Sequence, residues 1–357
     1  MIKILFEHSI FLHQKYGGIS KYIFNLNKHL KKKNINSKIF SPLTINNYLK
    51  NADKKNIFFL KLNSIPLFCK KLFYLINNLS TLIYYYFFKP NFLHLSYYNN
   101  FFKIFKIPYV LTIYDLIHEK TQRDSQGFFK SKLINDAKKI ICISNKTKKD
   151  LVRFYKLKKK NIEVIYLGIS SNKKFYLKKK ENFILFVGQR DGYKNFNSFI
   201  KAYKDSKFLK NNYNIIVFGG SKSSDREISL IKKYNIQDKV KFENGDDKRL
   251  LNFYRKASLF VFPSFREGFG LPILEAMSVG CPVVCSKIDV FCEIAGDSCK
   301  YFNPNNISDI KSKIEAVLKS QNKQKELIKK GFERIKEFSW EKCAKKTAEV
   351  YQKILSK

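Results

Sequence analysis

The most constraining feature of this sequence is an alternation of short apolar runs with amphipathic segments, which occurs twice along 357 residues. In the first half we interpret as buried strands the runs IKILF, NIFFL, NFLHL, PYVLTI, KIICIS and NIEVIY. Between most of them lie segments of helical period, such as 19–30 and 146–155. Near-continuous apolar strands separated by helices are typical of a parallel sheet that is covered on both faces.

The same alternation starts again at FILFVG and continues through YNIIVFGG, KVKF, SLFVFPS and CPVVCS. We therefore predict an α/β fold with two doubly wound, Rossmann-like domains. The N-terminal domain is expected at 1–170, a linker at 171–182 and the C-terminal domain at 183–335. A last helix at 336–357 is expected to pack back toward the N-terminal domain. Because ligands bind at the carboxyl ends of such strands, two facing domains would place the site in a cleft between them.

The charge of the chain restricts its partners. The formal net charge is +40, from 69 Lys and Arg against 29 Asp and Glu. Residues 1–100 contain 15 lysines, no arginine and only two acids, Glu7 and Asp53. Such a surface favours phosphates, nucleic acid or an acidic membrane face. The abundance of Lys, Asn, Ile, Phe and Tyr is also what an AT-rich genome imposes on any protein, so both explanations of the charge stay open.

Two apolar stretches have to be weighed as leader or membrane segments. The N-terminal stretch MIKILFEHSIFL is broken by Glu7 and His8, which indicates a first strand and not a signal peptide. The stretch 72–88 contains two asparagines, a serine and a threonine, so it is too polar for a span of about 20 apolar residues. We expect a buried or interface-lying helix there, and a cytoplasmic protein.

The segment REGFGLPILEAMSVGCPVV follows a predicted strand and has the pattern of a turn that enters a helix. Pro272 suits the first helical turn, where its missing N–H has no consequence. The backbone N–H groups near Gly270 and Leu271 would form the positive end of that helix, where a phosphate binds readily. Gly268 and Gly270 would let a ligand approach the backbone closely. The pattern thus predicts an anion site.

Two carboxylates, Glu267 and Glu275, lie on either side of this anion site in the sequence. Since carboxylates repel phosphate, we expect them to accept hydrogen bonds from hydroxyl groups at both ends of it. A diphosphate between two polyols is a nucleotide sugar. The alternative from spacing alone is that Glu267 caps the helix and Glu275 is an exposed helix residue.

The same segment resembles the Glu-(seven residues)-Glu signature of retaining glycosyltransferases of family four, which have the GT-B fold. Further segments resemble other parts of that family, in order and over nearly the whole chain. They are YGGISKYIFNL, VLTIYDLIHE, ICISNKTKKDL with VIYLGIS, VGQRDGYKNF and FSWEKCAKKTAEVY. The variants TIYDL, YKNF and EGFGLP resemble mannosyltransferase-like members.

The resemblance implies a role for each matching residue. Glu267 is expected to contact the hydroxyls of the donor sugar and Glu275 to hold the ribose. Arg190 and Lys194 would neutralise the diphosphate leaving group, so that no divalent metal and no cofactor is expected. Asp115 completes the catalytic set. The other donor-binding positions are Gly17, Gly18, Gly188, Gly268, Phe269, Gly270 and Leu271.

One segment departs from the family pattern. The family usually has His before Asp, whereas here the pair is Tyr114–Asp115. A tyrosine can donate a hydrogen bond but does not titrate near neutral pH. Tyr114 and His118 are therefore candidates for the reaction centre. The alternative is a degenerate relative without transfer activity.

The resemblance implies transfer of a hexose, with GDP-mannose as the favoured donor, in surface polysaccharide, lipopolysaccharide or O-antigen synthesis. The expected acceptor is a glycan or a polyprenyl-diphosphate-linked glycan. Aromatic and lysine residues of 68–89 would suit an anionic inner membrane surface. A nucleic-acid-binding protein is the other reading of the charge, but the lysines are scattered and arginine, the usual base reader, is scarce, so we expect no nucleic acid partner.

Overall fold

The computed structural model describes residues 1–51, 57–62, 64–120, 127–157, 162–170, 180–190, 192–220 and 223–356. Contacts divide the chain into two compact units. Unit 1 comprises Met1–Gly168 and Ser339–Lys357, and unit 2 comprises Ile169–Phe338. Most of the predicted linker, 171–179, lies outside the described residues.

Unit 1 is a parallel sheet covered by helices. Among its described residues seven strands pair in the order β3-β2-β1-β4-β5-β6-β7, and all these pairings are parallel. The strands are β1 (Lys3–Phe6), β2 (Asn36–Thr44), β3 (Ile57–Lys61), β4 (Phe92–Leu95), β5 (Tyr109–Ile113), β6 (Lys139–Cys142) and β7 (Ile162–Val164). The helices that precede unit 2 are α1 (Ser9–His13), α2 (Gly18–Leu30), α3 (Lys70–Phe88), α4 (Phe101–Ile104), α5 (Ile117–Lys120), α6 (Gly127–Asp136) and α7 (Asn145–Tyr155).

Unit 2 repeats this architecture. Its described residues form a six-stranded parallel sheet in the order β10-β9-β8-β11-β12-β13. The strands are β8 (Glu181–Val187), β9 (Asn214–Phe218), β10 (Val240–Glu243), β11 (Ala257–Phe262), β12 (Val283–Ser286) and β13 (Lys300–Phe302). The helices are α8 (Phe196–Lys204), α9 (Lys207–Asn212), α10 (Asp225–Lys233), α11 (Asp247–Lys256), α12 (Leu271–Ser278), α13 (Asp289–Ala295), α14 (Ile307–Leu318) and α15 (Gln321–Ile335).

The last helix, α16 (Trp340–Leu355), belongs to unit 1 although it follows unit 2 in the chain. It packs on α2, where the ring of Trp340 lies 6.4 Å from that of Tyr22. The hydroxyl of Tyr351 is hydrogen-bonded to Nδ1 of His94 at the end of β4 (2.5 Å). A buried tyrosine and a buried tryptophan thus fix α16 to the sheet of unit 1.

The predicted fold class, two parallel α/β halves, is confirmed. Strands β4, β5, β6 and β11 are buried along their whole length, as a sheet covered on both faces requires. Two other strands, β2 and β13, were not predicted from the sequence. In β2 the apolar run is interrupted by Ser41 and Pro42, and the pairing with β3 shifts its register between Phe40 and Leu43. A proline is tolerated in a strand at such an irregularity.

The sheet of unit 2 places one loop pair at a position that favours ligands. The chain runs from β8 to β9 on one side and later returns to β11 on the other side of β8. At this point the loops after β8 and β11 leave the sheet side by side in opposite directions. Ligands of doubly wound sheets bind outside the carboxyl ends of strands at such a switch point.

Candidate functional site

The turn that enters α12 begins at a glycine with left-handed backbone. Gly270 precedes the helix with φ +102°, a left-handed conformation that favours glycine. A Cβ atom there would lie 3.1 Å from the ring of Phe291, so a side chain would also press on this ring. Pro272 stands in the first turn of α12, as predicted. The backbone, and not a side chain, therefore forms the start of this helix.

An ion pair joins the segments that follow β8 and β11 at the switch point. Lys194 ends a short 3₁₀ turn after β8, and Glu267 lies in the loop after β11. Lys194 Nζ donates to Oε1 of Glu267 at 2.6 Å, with 14% and 13% of the two side chains exposed. The ammonium group also lies 5.1 Å from the ring centre of Phe262. The structure thus brings together one predicted cation and one predicted carboxylate, both within reach of solvent.

Gly188 lies directly beside this pair. Its φ of +120° is left-handed, and its N–H donates to the carbonyl of Phe218 at 2.9 Å. A Cβ atom at this position would lie 3.8 Å from Nζ of Lys194. The glycine therefore keeps the backbone exposed next to the ammonium group.

Arg190, the second predicted cation, makes its contacts on the other side of β8. Its Nε donates to Oε1 of Glu227 and its Nη1 to the carbonyl of Gly219, both at 2.8 Å. Its guanidinium lies 5.2 Å from the ring of Phe242 on β10, and the residue is 5% exposed. Glu227 also caps α10 together with Ser224. Arg190 thus connects the loops after β8 and β9.

Glu275 is buried in the middle of α12 and is 6% exposed, which contradicts the alternative of an exposed helix residue. Tyr254 of α11 lies close to it. Burial and then the charge of Glu275 raise the pKa of the Tyr254 phenol well above its usual value near 10. A buried carboxylate in a helix whose other side chains, apart from Pro272, are also buried is costly to keep without a polar role.

The glycine loop of unit 1 is a helix start. Gly17 precedes α2, and a Cβ atom on it would overlap the side-chain amide of Gln14. Oε1 of Gln14 accepts from the backbone N–H of Ser20 at 3.2 Å, so this amide caps the helix. A Cβ atom on Gly18 would meet nothing within 4 Å. A side chain at Gly17 would displace this capping amide, whereas Gly18 adjoins open space.

Tyr114 and Asp115 follow β5. The Tyr114 hydroxyl donates to the carbonyl of Ser96 at 3.1 Å, and its ring packs edge-on against Tyr22. Burial raises the pKa of Tyr114 well above 10. Oδ1 of Asp115 accepts from the N–H of Ile117 at 3.0 Å, where α5 begins. His118 lies in α5, but its side chain is outside the described part of the chain.

Glu7, which was not predicted as a functional or structural residue, is fully buried directly after β1. Its carboxylate accepts from the N–H and hydroxyl groups of Ser9 and Ser96 at 2.6 to 2.8 Å and from the N–H of Tyr97 at 3.2 Å. Nδ2 of Asn99 adds a longer bond of 3.4 Å. A single acid after the first strand, in a segment with almost no other acids, was the available signal.

Within the described residues, no group of three or more His, Cys, Asp or Glu side chains is arranged to hold a metal ion.

Two family models match successive parts of the chain, together spanning residues 16–334. The model Glycosyltransferase Family 4 matches residues 16–173, and the model Glycosyl transferases group 1 matches residues 169–334. Relatives include the O-antigen chain mannosyltransferase B of Escherichia coli, which is 27% identical over 61% of this chain and 61% of its own length. The O-antigen chain mannosyltransferase RfbU of Salmonella typhimurium is 32% identical over 52% of each chain. The chain thus matches only between half and two thirds of the length of these two relatives.

A longer match is to an uncharacterized glycosyltransferase of Methanocaldococcus jannaschii, which is 32% identical over 70% of this chain and 69% of that protein. Two solved structures cover nearly the whole chain. The sucrose-phosphate synthase of Thermosynechococcus elongatus has a TM-score of 0.80 at 20% identity and covers 100% of both chains. HepE of Anabaena, solved with UDP-glucose, has a TM-score of 0.79 at 15% identity and covers 99% of this chain and 100% of its own.

These matches favour the glycosyltransferase over the nucleic-acid-binding alternative, because both halves fit the same enzyme family. The structural likenesses establish the fold, and the family models and the Methanocaldococcus relative establish the family. The chain therefore belongs to glycosyltransferase family 4, the glycosyl transferases group 1, and has the GT-B fold.

Proposed function

We propose that this protein is a retaining glycosyltransferase that moves mannose from GDP-mannose to a growing, lipid-linked glycan of a surface polysaccharide. The observation that carries the proposal is the Lys194–Glu267 pair at the switch point of unit 2, beside the glycine turn that starts α12. The names of two relatives, both O-antigen chain mannosyltransferases, support the choice of sugar and of acceptor class.

The chemistry follows from the charges of these groups. A nucleoside diphosphate leaves with additional negative charge, which the Lys194 ammonium and the backbone N–H groups at the start of α12 would stabilise. Glu267 would accept hydrogen bonds from sugar hydroxyls and Glu275 from the ribose. Retention would result when the acceptor attacks from the face that the diphosphate leaves, with no protein nucleophile. The positive groups would replace a divalent metal, and no cofactor would take part.

Arg190 has a less direct part in this proposal than the sequence pattern indicated. Because its guanidinium binds Glu227 and the carbonyl of Gly219, it would hold the loop after β8 in place and act on the diphosphate mainly through that loop. Asp115 holds the start of α5 and would shape the loop after β5. Transfer would take place at the cytoplasmic face of the membrane, where lipid-linked glycans are extended.

Turnover of a donor panel tests the proposal. The full chain should consume GDP-mannose faster than UDP-glucose, at the same rate with and without EDTA. NMR of the product should give the anomeric configuration of the donor. Consumption of UDP-glucose alone would overturn the choice of donor, and an inverted product would overturn retention. If no sugar nucleotide binds or turns over, the degenerate alternative is correct.

A further inference from the structure

Helix α3 of unit 1 presents an apolar stripe to solvent. Six of its apolar side chains are between 45% and 81% exposed, namely Leu72, Leu75, Leu79, Ile83, Tyr86 and Phe87. Their spacing of three and four residues places them on one face of the helix. Contiguous exposed apolar surface of this kind marks an interaction site in a stable protein.

The opposite face of α3 packs on the rest of unit 1 and cannot exchange places with the stripe. Its buried residues are Asn77, Asn78 and Thr81. The side chain of Asn77 binds the N–H and the carbonyl of Leu43, at the irregular position of β2, at 2.8 and 2.9 Å. Because these partly buried backbone groups need partners, a rotation of α3 would break both hydrogen bonds.

The two other buried residues of this face are held in the same way. Oδ1 of Asn78 accepts from Nδ2 of Asn99 at 2.9 Å, and the Thr81 hydroxyl is hydrogen-bonded to Nδ1 of His8 at 3.3 Å. The packed side of α3 thus combines three hydrogen-bonded polar residues with the partly buried Leu82, Tyr84, Tyr85 and Phe88, while the apolar stripe faces solvent. The fold fixes this orientation, so the apolar stripe is a permanent feature of the surface.

The charge of the segment that contains α3 favours one kind of partner. Residues 54–114 contain eight lysines and no Asp or Glu. Lys70 and Lys71 are exposed in the first turn of α3, and Lys89 follows its last turn. A second copy of this chain would bring the same positive charges together, which is unfavourable. An anionic lipid surface complements both the lysines and the apolar side chains.

We propose that α3 lies flat on an anionic lipid bilayer, with the apolar stripe in the headgroup–acyl boundary and the flanking lysines against the lipid phosphates. With 19 residues α3 is about 28 Å long. Among the described residues, no helix has the length and apolar character needed to cross a bilayer. That the bilayer presents the acceptor to unit 1 rests on the proposed function. The lipid contact itself does not.

Binding of the full chain to vesicles tests this surface. Because the net charge of +40 favours any anionic vesicle, the decisive comparison is between variants. The test variant is L79S/I83S, which removes two side chains of the stripe. The matched control is V152S/L355S, which removes two aliphatic side chains, 39% and 44% exposed, from α7 and α16 of the same unit.

With vesicles of phosphatidylcholine containing ~30% phosphatidylglycerol, L79S/I83S should sediment with the lipid at least about tenfold more weakly than wild type. V152S/L355S should bind like wild type. A third variant, K70S/K71S, should bind several-fold more weakly at low salt, with a smaller deficit at high salt. Pure phosphatidylcholine vesicles should bind less of every variant. Thermal melting of each variant checks that it is folded.

Equal vesicle binding by L79S/I83S and V152S/L355S would overturn the proposal. So would a wild-type dimer that L79S/I83S converts to a monomer in sedimentation without lipid, because a second copy would then cover the stripe. Binding of GDP, measured by calorimetry in the same samples, separates this proposal from the proposed function. A chain that binds vesicles as expected but no nucleotide refutes only the function. A chain that turns over donor but fails the vesicle comparison refutes only the membrane surface.

Discussion

The polar groups that follow the central strands differ between the two units. After β1 and β4 of unit 1, the carboxylate of Glu7 and the loop at Ser96 are buried and hydrogen-bonded to each other. After β8 and β11 of unit 2, Lys194 and Glu267 form a pair that solvent reaches, beside glycines with left-handed backbone. The same type of sheet therefore carries a closed polar network in one unit and an open, charged site in the other.

The difference indicates a structural role for the buried network of unit 1 and a ligand-binding role for the charged pair of unit 2. A buried carboxylate surrounded by donors fixes the loops that it binds, because each loop donor would otherwise be unsatisfied. A charged pair next to exposed backbone can instead exchange its partner for a ligand. Substitutions in unit 1 should therefore change stability, and substitutions at the open site of unit 2 should change binding and turnover.

The largest effect is expected for Glu267→Ala. Loss of the carboxylate that would hold the donor sugar should lower donor turnover at least about 10²-fold, while the melting temperature stays close to that of wild type. Glu243→Ala is the control in the same unit, since Glu243 pairs with Arg249 at the surface. Normal turnover by Glu267→Ala would refute the role given to Glu267 and, with it, the contrast between the units.

Glu7→Ala should mainly lower stability, in contrast to Glu267→Ala, which should mainly lower turnover. Removal of this carboxylate leaves the buried N–H groups of Ser9, Ser96 and Tyr97 without their acceptor. We expect the free energy of unfolding in urea to fall by at least about 3 kcal/mol. Glu349→Ala, at an exposed position of α16, is the control and should leave it unchanged. Equal midpoints for the two variants would mean that the network does not hold unit 1 together.

Substitutions of the two cations of unit 2 should likewise have different effects, one on ligand binding and the other on stability. Lys194→Met should weaken GDP binding about 10-fold to 100-fold in calorimetry, since one charge-assisted bond to a phosphate is lost. Arg190→Met should lower the free energy of unfolding by roughly 2 to 3 kcal/mol, because the Glu227 carboxylate and the Gly219 carbonyl lose their donor. A large loss of GDP affinity in Arg190→Met without loss of stability would place its guanidinium on the ligand.

Sequence reasoning located elements with a strong local signal. The apolar runs of β4, β5 and β11, the glycine turn before α12 and the two glutamates around it were all readable from spacing. Strand β2 was not, because Ser41 and Pro42 interrupt its apolar run and its irregular pairing depends on a distant residue, Asn77. Local periodicity cannot report such a partner.

The same limit applies to the site. That Arg190 follows a strand is visible in the sequence, but that it binds Glu227 depends on where β9 and α10 lie. Glu7 looked like a break in an apolar segment, and only the pairing of β1 with β4 brings Ser96 to it. Residue type and spacing thus predicted candidate groups in unit 2, and their roles in binding and turnover stay predictions. The partners of those groups are set by the sheet order.

The stability of unit 1 should also depend on pH. Burial lowers the pKa of His94 to about 3, and burial, partly offset by Glu7, lowers that of His8 to about 4. Both lie below the value of about 6.5 in an unfolded chain. As the pH falls through that value, the unfolded chain takes up protons that the folded chain does not, so the stability present at higher pH is lost. Each histidine contributes about 1.4 kcal/mol per pH unit.

Urea unfolding between about pH 6 and pH 4 measures this slope. His94→Gln should reduce it by about one proton, because only one titrating group is removed. Leu95→Ala in the same strand is the control, since it should lower stability through a cavity and leave the slope unchanged. A slope in His94→Gln equal to that of wild type would assign the pH dependence of unit 1 to other groups.

The smallest effect is expected for Tyr114→Phe. This variant tests whether the Tyr114 hydroxyl only stabilises the buried network of unit 1 or also contacts the substrate. The change removes one hydrogen bond, to the carbonyl of Ser96, and should lower the free energy of unfolding by about 1 kcal/mol. Since the Tyr114 phenol titrates well above neutral pH, the pH profile of donor turnover should not change. Tyr166→Phe, at a surface hydroxyl that accepts from Asn145, is the control. If Tyr114→Phe lost turnover but kept its stability, the hydroxyl would act on substrate, and the position after β5 would be open to ligand.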